Sequence, residues 1–204
     1  MRCRILPFVA CAVLASCGLA EDERDDENRR IYLRLTDPAF EAYCLEKFDL
    51  DFDGRLSRYE AQRVVRMDCA GRGIGTLSEI GEFVNLQHLD CSRNGLRELD
   101  LRRCVRLRTL SCAENELVLL ELDGLRSLTA VDCRDNALPR LDLLSGASLS
   151  SLDCRRNRLT TLDVRACAVT LKADVRENPA LGTVYCREGQ SVAADGRTEV
   201  IVGS

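Results

Sequence analysis

Tryptophan is absent from the 204 residues, aromatic side chains make up 4%, and histidine occurs once, at His88. With so little aromatic bulk, a core has to be built from leucine packed against leucine. A lone histidine counts against chemistry that turns on an imidazole. Neither charge is in large surplus: 29 basic residues against 33 acidic leave a net charge of −4. Phosphate backbones are held by a basic excess, so nucleic acid is not an expected partner. Past the N-terminus no stretch is apolar enough to span a bilayer. Disorder is excluded as well, because 46% of the residues are hydrophobic. What the chain does have is twelve cysteines, and they require an explanation.

The N-terminus reads as an address. Arg2 and Arg4 precede an apolar run from Ile5 to Leu14, broken only by Pro7, the pattern of a secretory signal and too short for a membrane span. Next comes Leu14-Ala15-Ser16-Cys17, which resembles the lipobox of bacterial lipoproteins. The resemblance implies removal of residues 1–16, acylation of Cys17, and a lipid-anchored place in the cell envelope at the outer membrane. Residues 17–30, with the run EDERDDENRR at 21–30, form a charged tether that cannot bury a core. Acidic residues directly behind the acylated cysteine resemble the surface-export signal of Bacteroidetes lipoproteins, which implies exposure on the cell surface.

Residues 49–60 read DLDFDGRLSRYE. Acidic residues stand at loop positions 1, 3 and 5 (Asp49, Asp51, Asp53), glycine at 6 (Gly54), serine at 9 (Ser57) and glutamate at 12 (Glu60). A hard cation taking six to eight oxygens needs this set: three carboxylates, the carbonyl of Arg55, a water held by Ser57, and both oxygens of Glu60. The flanks agree. Asp37-Pro38 caps and opens a helix on which Phe40, Cys44 and Phe48 share a face beside Tyr43. Ser57 and Glu60 form a capping box for an exit helix with Ala61, Val64 and Val65 inward. The loop resembles an EF-hand at every diagnostic position, which implies one bound Ca2+. EF-hands normally pair and only one loop is present, so residues 31–66 are expected to form a cap whose calcium is structural.

The rest of the chain repeats. Cysteines fall at 69, 91, 112, 133 and 154, with Val175 one step further. Three residues after each stand Asn94, Asn115, Asn136, Asn157 and Asn178, while the first rung has Arg72. Leu86, Leu107, Leu128 and Leu149 lie five residues before, and Leu89, Leu110, Val131 and Leu152 two before. Each rung continues LxxLDL or close to it. The full pattern, LxxLxCxxNxLxxLDL, resembles the leucine-rich repeat. It predicts an α/β repeat: a short helical EF-hand cap, then a solenoid of about six 21-residue rungs over 67–185, with one strand per rung in one parallel sheet. The asparagine sits where the chain leaves the strand, and its amide is suited to satisfying that turn. Residues 186–204, ending Glu199-Val200-Ile201-Val202, are expected to cover the open end. With Phe40, Tyr43-Cys44-Leu45 and Phe48 around the calcium loop, and the ending NPALGTVYC, the chain is similar to leucine-rich-repeat surface lipoproteins of Bacteroides type. That resemblance implies fold and location more than activity.

The ladder cysteines occupy the inward position, where they read as small buried hydrophobes. The alternative, for an exported chain, is a disulfide framework. Nine mature cysteines besides Cys17 cannot all pair internally. No CxxC pair supports zinc. His88 and Cys91 are three apart on one strand, so they point to opposite faces and form no dyad. The glycines of GRGIG at 71–75 read as the first rung's turn.

Alternation then fixes the outward face. Asp68, Asp90, Ser111, Asp132, Asp153 and Asp174 form one column, followed past the cysteine by Ala70, Ser92, Ala113, Arg134, Arg155 and Arg176. His88, Thr109, Ala130, Ser151 and Lys172 form a third. This is either a self-compensating solvated surface or a polar strip that recognises a protein or glycan. The expected molecule is a monomeric, non-catalytic binder, with a structural or adhesive envelope component as the alternative.

Overall fold

Three-residue strands are the unit of this fold. A computed structural model of the 204-residue chain describes residues 25, 27–143 and 148–203, so the signal, Cys17 and most of the tether lie outside the described residues. The helices α1 (Pro38–Phe48) and α2 (Arg58–Arg63) precede twelve described strands numbered here in chain order. The main sheet is parallel and seven-stranded: β1 (Arg66–Asp68), β2 (His88–Asp90), β4 (Thr109–Ser111), β6 (Ala130–Asp132), β7 (Ser151–Asp153), β9 (Lys172–Asp174) and β11 (Ser191–Ala193). Its register aligns Met67, Leu89, Leu110, Val131, Leu152 and Ala173 as one buried column. The flanking residues of each strand face out, as period-2 alternation requires.

The expected sheet is joined by a second strand position in most rungs, on the returning LxxLDL segment. β3 (Glu98–Asp100) pairs with β5 (Leu119–Glu121), and β8 (Thr161–Asp163), β10 (Thr183–Arg187) and β12 (Glu199–Gly203) form a three-stranded sheet. Between these two sheets the rung at Arg140–Asp142 forms no strand. Pro139, which has no N–H to give a ladder, stands at its start. Leu141 and Leu143 are still buried, so the core continues where the ladder does not.

At the C-terminal end β11 and β12 each extend an existing sheet by one strand, so residues 186–203 stand on the last full rung as a shortened further one. Val200, Ile201 and Val202 remain exposed.

The asparagines hold adjacent rungs together. The side-chain nitrogen of Asn115 donates to the carbonyls of Cys112 and Ala113 in its own rung and of Cys91 in the rung before, while its oxygen accepts from Leu96 N–H. Asn136, Asn157 and Asn178 repeat the pattern, and both Asn157 and Asn178 are buried. Arg72 cannot do this for the first rung. There, Asn94 of the next rung accepts from the backbone N–H groups of Arg72 and Ile74. The turn has a conformational cost. The residue before each asparagine is left-handed, at Arg93, Glu114, Asp135, Arg156 and Glu177, with φ between +52° and +59°. In the first rung Gly71 takes that place at φ +65°.

All nine described cysteines are free and buried. Burial pushes every ladder thiol upward, Cys69 to about 12 and Cys91, Cys112 and Cys133 well above the ordinary thiol value, with neighbouring aspartates and thiols adding to the shift.

Two predictions follow from this packing. Asn157→Ala strands the buried Leu138 N–H and removes one of the two donors that each of the Cys133, Cys154 and Arg155 carbonyls has, and is expected to lose about 3 kcal/mol in denaturant unfolding. Glu114→Gly relieves a left-handed residue and is expected to be neutral or to gain up to about 1 kcal/mol. The thiols set the alkaline limit. Their folded pKa values are raised, so their contribution is complete below the ordinary thiol value near 8.5 and is lost as pH rises through it toward the folded values. Stability should fall above about pH 9 by about 1.4 kcal/mol per pH unit for each buried thiol, and the Cys112→Val, Cys133→Val double variant should flatten the slope.

Candidate functional site

The loop at 49–60 folds on its own carboxylates. Gly54 N–H donates to Asp49 Oδ2 at 3.0 Å, Asp53 N–H to Asp51 Oδ1 at 3.2 Å, and Arg55 N–H to Asp53 Oδ1 at 2.8 Å. Gly54 at φ +77° allows the reversal at position 6. One carboxylate oxygen from each of Asp49, Asp51 and Asp53 then lies within 4.8 Å of the others. Asp49 Oδ1 is buried without a hydrogen-bond partner. Desolvation raises the Asp51 carboxyl above its usual range, and the charges of Asp53, Glu60 and Asp49 act in the same direction. Crowded carboxylates and an orphaned buried oxygen fit a hard cation. Glu60 is not gathered with them. Its Oε1 accepts from Leu50 N–H at 2.7 Å, and its Oε2 accepts from the N–H and hydroxyl of Ser57, completing the capping box.

A lone loop of this kind would leave an unpaired edge. Residues 31–33 fill it: Tyr32 bridges Ser57 antiparallel, Leu33 N–H donates to Leu56 O, and Arg58 N–H donates to Ile31 O. The Tyr32 hydroxyl donates to Asp53 Oδ2 at 2.8 Å, and the Arg55 guanidinium stacks 3.9 Å over its ring. The sequence reading missed this pairing, whose one signal is the short apolar run Ile31-Tyr32-Leu33 ahead of the helix.

Asp37 joins the cap to the solenoid. Its Oδ1 caps α1 through Ala39 and Phe40 N–H, while Oδ2 accepts from Gly75 and Thr76 N–H in the first rung's turn. Phe40 and Phe48 then pack on Phe83 of the first rung, at ring distances of 5.9 and 6.3 Å. Tyr43 Oη accepts from Asp68 N–H. Ala61 and Val64 are buried as expected. Val65 is not, because α2 ends at Arg63 and the extended chain turns that side chain outward.

On the main sheet's outer face the predicted columns align: Asp68 with Asp90, Ser111, Asp132, Asp153 and Asp174. The two halves differ in electrostatics. Arg134, Arg155 and Arg176 pair with Asp132, Asp153 and Asp174 at 2.6–2.7 Å. The Arg176 hydrogen bond lowers the Asp174 carboxyl, whereas burial raises that of Asp132. Asp68 and Asp90 each accept one turn N–H, from Ala70 and Ser92, and no arginine among the described residues pairs with either. His88 Nδ1 lies 2.8 Å from Thr109 Oγ1, across the sheet from the buried Cys91 thiol.

No family profile matches this sequence, and no curated protein does. Among solved structures, the chain is similar to an internalin, InlF, from Listeria monocytogenes, with a TM-score of 0.56, 14% identity, 78% of this chain covered and 51% of that one. It is also similar to the functional domain of InlJ from the same organism, described as including a cysteine ladder, with a TM-score of 0.43, 16% identity, 82% of this chain covered and 61% of the other. The chain thus spans about half to three-fifths of their length. At this identity the likeness to InlF establishes the fold: a parallel solenoid of the internalin, leucine-rich-repeat kind.

The Asp37 junction makes a pH-dependent prediction. Burial pushes its carboxyl up, but four backbone N–H donors outweigh that and leave it below the usual range. A depressed carboxylate stabilises above its unfolded value, near 3.9, and the contribution disappears as pH falls through the folded one. Asp37→Ala should therefore lose about 1–2 kcal/mol at neutral pH, with the deficit shrinking below about pH 4 in urea titrations.

Proposed function

We propose that the chain is a monomeric, non-catalytic lipoprotein of the cell envelope, acylated at Cys17 and held at the outer membrane. It binds a macromolecule, protein or glycan, across the outer face of the main sheet. The observation that carries this reading is the uncompensated part of that face. Strand register lines up the polar columns, and Asp68 and Asp90 stand there beside His88, Thr109 and Ser111 with no arginine paired to them. Unpaired charges on a rigid sheet favour a partner carrying the complementary charge. The paired half, Asp132–Arg134, Asp153–Arg155 and Asp174–Arg176, supplies orientation more than energy, because exposed ion pairs are worth little. A structural or adhesive component of the envelope is the second reading, and that self-compensated half is what favours it.

Calcium would be held by Asp49, Asp51, Asp53, the Arg55 carbonyl, a water on Ser57, and Glu60 once its oxygens are shared with the ion. It neutralises the crowded carboxylates and ties the exit helix to the loop. The ion is structural in this reading, since the edge that a second hand would use is already taken by residues 31–33.

Two measurements test the reading. Crosslinking pull-down from the native cell surface should capture a partner with the wild type and lose it with Asp68→Lys plus Asp90→Lys, with melting unchanged. Undiminished capture would move the interface elsewhere. For the ion, extracellular-type sites bind at about 10⁻⁴ to 10⁻³ M, so millimolar calcium adds roughly 0.5–1.5 kcal/mol. Chelation should lower Tm by a few degrees, and Glu60→Ala should reproduce the loss. Equal Tm values with no heat of binding in calorimetry would refute the site.

A further inference from the structure

The tip of the calcium loop carries two exposed apolar side chains that no other described residue covers. Leu50 is 58% exposed and Phe52 is 89% exposed. They occupy loop positions 2 and 4, alternating with the three aspartates whose oxygens converge, so the carboxylates turn inward and the apolar groups turn out. Phe52 is held there at φ +60°, a left-handed backbone that a bulky residue rarely adopts. An aromatic ring kept in water by a strained backbone is an interaction feature more readily than a packing one.

The surroundings indicate what covers it. The chain arriving from the N-terminus joins the folded body on the exit helix of this loop, through Asp25–Arg63, Asn28–Gln62 and Arg29–Tyr59 contacts, and then pairs with the loop itself through the Tyr32–Ser57 bridge and the Tyr32–Asp53 hydrogen bond. The eight residues from Cys17 to Asp25 reach at most about 28 Å when fully extended. On the lipoprotein reading, on which this step rests for the nearness of a bilayer, the module made of this loop and its exit helix is therefore the part of the fold tethered closest to the lipid, and the loop tip is its exposed apolar part. Beside the apolar tip sits a ring–guanidinium pair, Arg55 over Tyr32 at 3.9 Å. Such amphipathic groups settle at headgroup depth, with the ring against the acyl region and the charge in water.

We propose that the loop tip is a lipid-docking surface. Leu50 and Phe52 enter the interfacial layer of the bilayer, Tyr32 and Arg55 lie at the headgroups, and neutralisation of Asp49, Asp51 and Asp53 by a cation removes the charge that would oppose entry. Docking would hold the N-terminal end of the solenoid at the membrane and leave the outer face of the sheet open to solution.

The chain contains no tryptophan, so Phe52→Trp installs a single reporter. The full chain carrying Cys17→Ala and Phe52→Trp is mixed with excess phosphatidylcholine vesicles in calcium. The indole emission should shift to the blue and be quenched by lipids brominated on the acyl chains. In the Cys17→Ala background, Phe52→Ser should weaken vesicle partitioning about tenfold or more, the loss expected for one apolar side chain left in water. Val118→Ser, which changes an exposed valine on the returning side, should leave partitioning as it was. Unchanged emission, or equal partitioning of the Phe52→Ser and unsubstituted chains, overturns the proposal. The assay uses an unacylated chain, so it stands apart from the anchor itself, which metabolic labelling of Cys17 with a fatty acid decides.

Discussion

One side-chain amide sets the geometry of this protein. Each ladder asparagine bonds the carbonyls of its own turn and of the turn before it, and accepts an N–H from the preceding rung. Turns inside a stack cannot reach water, and an unpaired buried carbonyl or amide costs as much as a lost hydrogen bond. Each rung from the second on therefore carries its own amide at this point, and Asn94 serves the first rung's turn as well. The left-handed residue ahead of each asparagine is the conformational cost of aiming the amide inward. Once the turns are fixed in register, everything else lines up: leucines into one core, cysteines into an inner column, and aspartates into an outer one.

A stack has two ends, and this one treats them differently. At the N-terminal end Asp37 spends one oxygen on its own helix and the other on the first rung's turn, and α1 lays Phe40 and Phe48 on Phe83. The acidic loop at 49–60 follows that helix, and its exit helix leads into β1 within a few residues. The module therefore covers the apolar cross-section that a solenoid must hide. At the other end β11 and β12 add one strand to each sheet, with Val200 and Val202 exposed.

Much of this was legible in the sequence, because a period of about 21 residues fixes both spacing and facing. The inward column, the outward aspartates, the Asp37 cap and the Ser57–Glu60 capping box all followed from residue type at fixed positions. The returning strands did not, because LxxLDL gives the same alternation whether or not a ladder forms. The outward Val65 was missed because its direction depends on where α2 stops. The pairing of Tyr32 with the calcium loop is a long-range contact with no periodicity behind it.

The central claim is that the N-terminal module is the calcium-stabilised end of the stack. Hydrogen exchange followed by mass spectrometry, with calcium and then with a chelator, tests it most directly. The account predicts that chelation releases the amides of Gly54 and Arg55 first, then those of Cys69 to Thr76, while Cys154 to Asn178 keep their protection. Loss of protection spread evenly over all rungs, or none at all, would contradict it.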